Sequence, residues 1–146
     1  MEQILDLRLP ACLEALSDLA TKVDAFLADR PVEAYKVNLC LDELLTNTIS
    51  HGFRDEPGNE VVLRLVRDEK GVEVFIEDDA PPFDPFAEAP LPDLDADVET
   101  RALGGLGVHF VRSLMDAFRY RREAGRNRIW LHKVFDDTAS GPSDIK

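Results

Sequence analysis

DELLTNTISHG, residues 42–52, has the spacing of a helix that carries polar groups among apolar neighbours. Glu43 and Asn47 are four residues apart, so on a helix both side chains lie on the same face. His51 continues that face near the end of the pattern, where an imidazole interacts favourably with the helix dipole. Gly52 is typical of a helix stop. A Glu and an Asn with this spacing also occur on ordinary solvent-facing helices, so a functional interpretation needs support from other parts of the chain.

A second stretch, DDAPPFDP at residues 78–85, places an acid at the end of an apolar strand pattern. The Asp78 carboxylate can accept the exocyclic amino proton of adenine, a match that disfavours guanine at that point. The structural alternative is that Asp78 caps a turn, as Asp often does at the end of a strand. The Pro81-Pro82 pair stiffens the chain where it leaves the strand.

A third stretch, LGGLGVHFVRSLMD at residues 103–116, is a glycine-rich turn that runs directly into a helix. The unpaired N–H groups and the positive dipole end of such a helix bind phosphate, and glycine allows the backbone to approach an anion closely. A flexible helix entry is the alternative, because the glycines lie in neither a Walker nor a Rossmann context. In this order, the three stretches together predict a nucleotide pocket whose phosphate end is formed by Gly104, Gly105 and Gly107.

The composition fits a single globular domain. The chain has 146 residues, of which 45% are hydrophobic and 32% charged, and we expect one domain over residues 1–135 followed by a disordered tail at 136–146. No apolar run approaches the ~20 residues of a membrane helix and no signal-peptide pattern is present, so we expect a cytoplasmic protein without a membrane partner. Cys12 and Cys40 lack metal-ligand spacing and are expected to be buried free thiols.

The net charge of -12 argues against direct binding of nucleic acid, which requires clustered Lys and Arg. An acidic chain that handles a nucleotide also needs a cation, so Mg²⁺ is expected. The basic residues near the end of the sequence are interpreted as a solvated face: Arg112, Arg119, Arg121, Arg122, Arg126 and Arg128.

Hydrophobic periodicity predicts the order of the elements. In chain order they are a strand at 3–9, a helix opened by Pro10 and ending near 29, a helix at 31–51, strands at 60–67 and 72–78, a helix at 104–117, and a hairpin of strands at 118–123 and 127–134. This order indicates an α+β two-layer sandwich, with a mostly antiparallel mixed sheet and helices on one face.

The stretch from about 79 to 103 is predicted to be a flexible lid over the pocket. Five of the nine prolines lie in residues 79–102, and residues 77–99 contain nine acids and no base. Such a segment does not pack as regular structure. Arg101 is the only base between Lys70 and Arg112, and it is expected to reach a terminal phosphate or a partner, or else to be an ordinary surface arginine.

The three stretches resemble the N, G1 and G2 boxes of the GHKL ATPase superfamily. The PPFDP form and the compact size resemble its branch of anti-sigma-factor serine/threonine kinases, which act in bacterial partner-switching systems, and the resemblance covers roughly residues 5–134. It implies the Bergerat fold, with ATP and Mg²⁺ bound beneath the lid. Matched by position, Glu43 is implied as the general base, Asn47 as the magnesium ligand, Asp78 as the adenine-binding acid, and the phosphate-binding glycines are Gly104, Gly105 and Gly107.

The resemblance also implies a reaction and its partners. The family reaction transfers the γ-phosphoryl group of ATP to a serine or threonine of a STAS-domain antagonist, the anti-anti-sigma factor. The unphosphorylated antagonist competes with a sigma factor for the kinase, and a homodimer is expected by the same analogy. The alternative is a nucleotide-responsive anti-sigma or antagonist-binding module without kinase activity. A sensor histidine kinase fits less well, because no dimerisation helix with a phospho-acceptor histidine precedes the domain.

Two features depart from the family pattern. Ala80 and Pro82 stand where the G1 box usually has glycines, and Ala80 would be strained if the backbone there required a positive φ. Pro82 is part of the PPF form that is typical of the branch. The acidic lid is the second departure, because it offers little attraction to phosphates.

Overall fold

The computed structural model describes residues 1–88 and 106–136. In chain order, the elements of these residues are β1 (Gln3–Pro10), α1 (Ala15–Phe26), α2 (Pro31–Asn47), a π-helical turn (Thr48–Gly52), β2 (Glu60–Arg67), β3 (Gly71–Asp78), α3 (Pro85–Glu88), α4 (Leu106–Leu114), β4 (Ala117–Glu123) and β5 (Arg126–Val134). The predicted order of strands and helices is confirmed over this part of the chain. The lid beyond residue 88 and the tail beyond residue 136 lie outside the described residues.

The five strands form one sheet in the order β1-β2-β3-β5-β4. Every neighbouring pair is antiparallel, with Leu7 opposite Leu63 and Val74 opposite Leu131. The prediction of a mostly antiparallel sheet is therefore confirmed, but its mixed character is wrong for these strands. The reason is local, because short turns join β2 to β3 and β4 to β5, and such turns produce antiparallel hairpins.

The helices cover one face of this sheet. Alternate strand residues point toward them, as the period of two in a strand requires, and the inward residues Leu63, Leu65, Val74, Ile76, Ile129 and Leu131 are buried. Val37, Leu41 and Leu44 of α2 are buried in the same core. Burying one such side chain contributes about 2 kcal/mol. The α+β sandwich follows, because both layers need this shared core.

Pro10 does not open a helix, contrary to the prediction. It is the last residue of β1, where it lies opposite Glu60, and α1 begins only at Ala15. β1 is an edge strand, and Pro is tolerated on an edge because a missing N–H there breaks no ladder. The helix also ends earlier than expected, at Phe26 rather than near residue 29. The helix predicted for 104–117 likewise ends at Leu114, because Ala117 already belongs to β4.

The β4–β5 hairpin is confirmed. Ala124 and Gly125 form its turn with φ values of 54° and 76°. Positive φ at both central residues is characteristic of the tight turns that match strand twist. Ala124 is the less comfortable of the two because it has a Cβ atom.

The chain end after β5 is fixed against the start of α2. Phe135 is buried, and its ring contacts the guanidinium groups of Arg30 and Arg67 at 4.7 and 5.1 Å. The Phe135 N–H donates to Lys70 O at 2.8 Å, and the next N–H, that of Asp136, donates to the buried Glu33 carboxylate at 3.0 Å. These contacts join the end of the sheet to the helical layer.

The outer face of the sheet is polar and aromatic. One row of residues crosses all five strands there: Asp6, Arg64, Phe75, Trp130 and Arg119. A cavity of about 560 Å³ lies over this face. Its arginines pair with acids of the same face, including Arg64 with Asp6 at 2.6 Å and Arg128 with Glu77 at 2.9 Å. The predicted solvated arginines are exposed except Arg126, which is half-buried. Arg112 and Arg122 are exposed but also bond to main-chain oxygens near the predicted pocket.

Cys12 and Cys40 are both free thiols, as predicted. Cys40 is buried, whereas Cys12 is only half-buried, so the prediction of burial is wrong for Cys12. No helix within residues 1–88 and 106–136 has the length and apolar character needed to cross a membrane.

Candidate nucleotide site

α2 presents two adjacent stripes of side chains toward one end of the sheet. Leu44, together with Thr48 of the π-helical turn, lines a small cavity next to β3 and β5. Glu43 and Asn47 each precede one of those residues, which places their stripe about 100° around the helix. The predicted helical pair is therefore beside the cavity and not part of its wall.

The Glu43 side chain is half-buried, and it makes no hydrogen bond or ion pair with any described residue. Burial raises the pKa of its carboxyl above the ordinary value of 4.5, and the nearby Asp42 charge raises this pKa further. Both effects disfavour the ionised form. A carboxylate with a raised pKa and no internal partner is suited to accept a proton.

Asn47 is the last residue of the regular part of α2, and its side chain is half-buried. An amide oxygen is a hard ligand that suits Mg²⁺, which usually keeps waters and phosphate oxygens as its other ligands. Within the described part of the chain, no three His, Cys, Asp or Glu side chains are grouped to hold a metal. The residues present therefore fit a magnesium ion that is held mainly by a nucleotide, with one protein ligand.

The helix does not stop at Gly52 as a regular α-helix would. Thr48–Gly52 form a π-helical turn, in which the Phe53 N–H donates to Thr48 O at 2.8 Å. Such turns are frequent at functional sites, because they reorient the side chains around them. A Cβ atom added to Gly52 would lie 3.3 Å from the Cβ of Ala80, so glycine allows the turn to approach β3 closely. His51 lies in this turn with an exposed side chain.

Asp78 ends β3 and is buried, with 2% of its surface exposed. Its Oδ1 accepts hydrogen bonds from the Ala80 N–H and from Asn127 Nδ2, both at 2.9 Å. Desolvation raises the pKa of Asp78 above its ordinary value, while these two hydrogen bonds act in the opposite direction. The Asp78 carboxylate thus caps the turn and also lines the cavity. The turn-capping and adenine-binding interpretations made from the sequence are therefore compatible.

The residues that replace the usual glycines are accommodated. Outside glycine, the described residues with positive φ are Arg54, Asp55 and Ala124, so Ala80 has an ordinary backbone conformation without strain. Its methyl group is buried against the π-helical turn. Pro82 is exposed.

The cavity next to Asp78 is small. Its lining residues are Leu44, Thr48, Gly52, Asp78, Ala80, Phe83, Pro85, Asn127 and Ile129, and water could occupy about 10 Å³ between them. That space holds about one water. Apolar walls around one carboxylate suit the edge of a purine ring, so the residues fit the base. The ring itself requires the walls to move apart.

The short helix α3 lies at the edge of this cavity through Pro85. Asp84 Oδ1 accepts the Phe86 N–H at 2.9 Å, and Arg112 Nη2 of α4 donates to Phe86 O at 2.9 Å. The Phe86 ring packs against Phe118 of β4, with ring centroids 4.8 Å apart. α3 is therefore attached to both α4 and β4 at the edge of the cavity.

A comparison with known protein families identifies this arrangement. Residues 9–133 match a family described as the histidine kinase-like ATPase domain. The chain belongs to this family. The match covers most of the sequence and confirms the resemblance to the GHKL ATPases, including the fold class that it implied.

Several relatives within this ATPase family are named protein kinases. The serine/threonine-protein kinase BtrW of Bordetella bronchiseptica is 31% identical over 97 residues, which is 66% of this chain and 68% of that protein. The serine-protein kinase RsbW of Listeria monocytogenes is 28% identical over 131 residues, 86% of this chain and 83% of its own length. The RsbW of Listeria innocua matches with the same identity and coverage.

Part of the predicted phosphate end of the ATPase domain lies outside the described residues, namely Gly104, Gly105 and Arg101. Gly107 is the second residue of α4. α4 packs against α2, so the helix that follows the glycine turn is next to the helix that carries Glu43 and Asn47. The roles of these glycines, of Arg101 and of the lid remain predictions.

Sequence reasoning missed Asn127, which lies opposite Asp78 on β5 and is 4% exposed. A signal was present, because strand periodicity places Asn127 on the same inward face as Ile129 and Leu131. A polar residue at an inward position must find hydrogen-bond partners. The contacts of Tyr120 and Arg122 with Asn127 were missed as well, although these residues are only seven and five positions away in sequence.

Proposed function

We propose that this ATPase-family protein is an ATP- and Mg²⁺-dependent serine/threonine protein kinase of the anti-sigma-factor type. The hydroxyl oxygen of the acceptor forms a bond to the γ-phosphorus of ATP. The bond from that phosphorus to the bridging oxygen breaks, ADP leaves, and the hydroxyl proton passes to Glu43. Phosphoryl transfer depends mainly on positioning and charge neutralisation, so few protein groups are required.

The observation that supports this proposal most strongly is the state of Glu43. Its carboxyl is half-buried, has a pKa raised by burial, and makes no hydrogen bond or ion pair within the described part of the chain. A half-buried carboxyl with a raised pKa and no internal partner is available to accept the proton of a bound hydroxyl. Asn47 lies one turn further along the same stripe, so a proton acceptor and an oxygen ligand are adjacent.

Asn47 is the proposed ligand of Mg²⁺, and Asp78 is the proposed acceptor for the adenine amino group. Magnesium, when bound, supplies positive charge that neutralises the phosphates. The phosphates are expected to reach Gly104, Gly105 and Gly107 at the start of α4, with Arg101 nearby. Because the chain is acidic overall, with a net charge of -12, the cation has a larger part in attracting ATP than the protein surface has.

The proposed substrate is a serine or threonine of a STAS-domain anti-anti-sigma factor, with a sigma factor as the competing partner. The relatives BtrW and RsbW are named a serine/threonine-protein kinase and a serine-protein kinase, which supports a protein substrate. The homodimer and the cytoplasmic location expected from the sequence are part of the same proposal.

The test is incubation with γ-labelled ATP, Mg²⁺ and the STAS-domain proteins of the same genome. Glu43→Gln should bind ATP with nearly unchanged affinity and lose label transfer by about 10²–10⁴-fold, the usual range for a general base. Asp42→Asn is the matched control, because it removes an exposed acid one position earlier on the same helix and should keep transfer. Equal transfer by Glu43→Gln and by the wild type would contradict the assignment.

The second candidate function is a nucleotide-responsive binding module without transfer. The composition of residues 77–99, with nine acids and no base, favours it, because such a segment offers little attraction to the phosphates that a transfer reaction must hold. ATP binding measured by calorimetry, with no label on any STAS protein, would favour this module. Absence of ATP binding would contradict both candidates.

A further inference from the structure

A polar cluster lies next to Asp78 at the wall of the cavity, and Asn127, which also lines the cavity, is at its centre. Asn127 Nδ2 donates to Asp78 Oδ1 at 2.9 Å and to the main-chain oxygens of Ala80 and Pro81, both at 3.1 Å. The Asn127 side chain therefore contacts three residues of the segment by which the chain leaves β3. The two amide hydrogens are shared among these three acceptors.

The oxygen of the same amide is surrounded by donors. Asn127 Oδ1 accepts from the Tyr120 hydroxyl at 2.6 Å, and from the Phe83 N–H and Arg122 Nη1 at 3.3 Å each. Arg122 Nη1 also donates to Ala80 O at 2.7 Å. Because all acceptors are on one side of the amide and all donors on the other, its orientation is determined.

We propose that Asn127 is a positioning residue for nucleotide recognition: it holds residues 78–83 in place and directs the free oxygen of Asp78 to the base. This inference rests on the proposed adenine role of Asp78. Oδ1 of Asp78 is engaged by Asn127 and by the Ala80 N–H, whereas Oδ2 has no hydrogen bond among the described residues. Oδ2 is thereby left as the acceptor for an amino group.

This role explains how residues 78–83 keep a defined shape although Ala80 and Pro82 replace the usual glycines. Ala80 and Pro82 have restricted backbones, so the shape of the turn is not set by glycine freedom. The side chain of Asn127 sets it instead, through the carbonyl groups of residues 80 and 81 and the N–H of residue 83. A fixed carboxylate accepts from the 6-amino group of adenine and repels the 6-carbonyl oxygen of hypoxanthine. Asn127 thus supports the preference for ATP over ITP.

The test compares ATP and ITP binding by calorimetry in the wild type, Asn127→Ala and Asp78→Asn. We expect Asn127→Ala to reduce the ATP/ITP affinity ratio by about ten-fold, the effect of one buried hydrogen-bond contact of ordinary strength. In the Asp78→Asn background, Asn127→Ala should cause no further change in the ratio, because Asn127 acts through Asp78. Asn38→Ala is the matched control: Asn38 of α2 bonds to Asp24 of α1 and is not among the residues that line the cavity, so its loss should leave the ratio unchanged.

Amide hydrogen exchange provides a readout that does not depend on nucleotide. In Asn127→Ala, the N–H groups of Ala80 and Phe83 should exchange at least about ten-fold faster while that of Leu65 in β2 is unchanged. Tyr120→Phe removes one donor to Asn127 and should change both readouts in the same direction by a smaller factor, which keeps the test valid if Asn127→Ala does not fold. An unchanged ratio and unchanged exchange in these variants would overturn the inference. A wild type that binds ATP and ITP equally would instead contradict the adenine role of Asp78, and the exchange rates would still decide whether Asn127 holds the turn.

Discussion

The raised pKa of Glu43 has a measurable consequence for turnover. A general base must be ionised, so kcat at saturating ATP and acceptor should fall as the pH is lowered through the pKa of Glu43. Burial raises that pKa above 4.5, so the loss should occur at a higher pH than for an exposed glutamate. Asp42→Asn should move this loss of kcat to lower pH, because the Asp42 charge contributes to the raised pKa of Glu43. A kcat that stays constant down to pH 4.5 would contradict the role of Glu43.

The two cysteines should react at different rates. Burial raises the pKa of the Cys40 thiol to about 12, and only the thiolate is nucleophilic. We expect Cys12, which is half-buried, to react with Ellman's reagent in the native protein, and Cys40 to react only when the protein unfolds. The time course should therefore show one fast and one slow thiol. Cys12→Ser should remove the fast phase, and two thiols reacting at one rate would contradict the structure.

At the residue scale, the sequence predicts the placement of side chains that depends on local spacing within one element. Glu43 and Asn47 are placed on one helical stripe because four residues make about one turn. Asn127 was missed because two of its partners, Phe83 and Asp78, are 44 and 49 residues away in sequence. Such contacts depend on the register of β3 against β5, which the pattern of either strand alone does not determine.

At the scale of elements, α3 lies at the edge of the cavity through Pro85, and Arg112 is one of its attachments. Arg112→Ala removes the hydrogen bond to Phe86 O, which contributes about 1 kcal/mol to holding α3 in this position. The association rate of a fluorescent ATP analogue in stopped flow should therefore rise roughly five-fold. Lys22→Ala is the control, because Lys22 pairs with Asp18 on α1, away from this region. An unchanged association rate in Arg112→Ala would show that α3 does not limit entry.

The sequence predicts which elements exist better than where they end. The helix start at Pro10 was wrong because Pro suits both the first turn of a helix and the end of an edge strand, and only the pairing with β2 distinguishes them. The π-helical turn was also missed, since it depends on the close approach of Gly52 to Ala80, which comes from another element. Both errors arise from contacts between elements.

At the scale of the whole molecule, Phe135 joins the end of the sheet to the helical layer. Phe135→Ala should lower the free energy of unfolding by about 3–5 kcal/mol, as is typical for a buried Phe, because both guanidinium contacts and the buried ring are lost. Urea denaturation followed by circular dichroism measures this change. Val134→Ala is the matched control, because Val134 is 43% exposed and should change stability much less. Equal effects of the two substitutions would contradict the proposed junction.

The overall architecture was predictable because its sheet is built from local hairpins at turns that the sequence marks clearly. Residues 68–70 join β2 to β3 and Ala124-Gly125 joins β4 to β5, and the alternating pattern shows which face is buried. The phosphate end was predicted only by resemblance, since glycines carry no side chain whose partners could be inferred from periodicity.

The outer face of the sheet also determines what the intrinsic tryptophan fluorescence of this protein measures. The chain has a single tryptophan, Trp130, whose indole N–H donates to Glu73 at 3.0 Å and whose ring contacts the Arg119 guanidinium at 5.5 Å. Trp130 lies on the side of β5 opposite the buried Asn127 and Ile129. Its emission should therefore change when the sheet unfolds and stay constant when a ligand fills the cavity next to Asp78, which Trp130 does not line. Intrinsic fluorescence therefore reports unfolding independently of the ligand. Melting curves recorded with and without ATP should start from the same native-state fluorescence and can be compared directly.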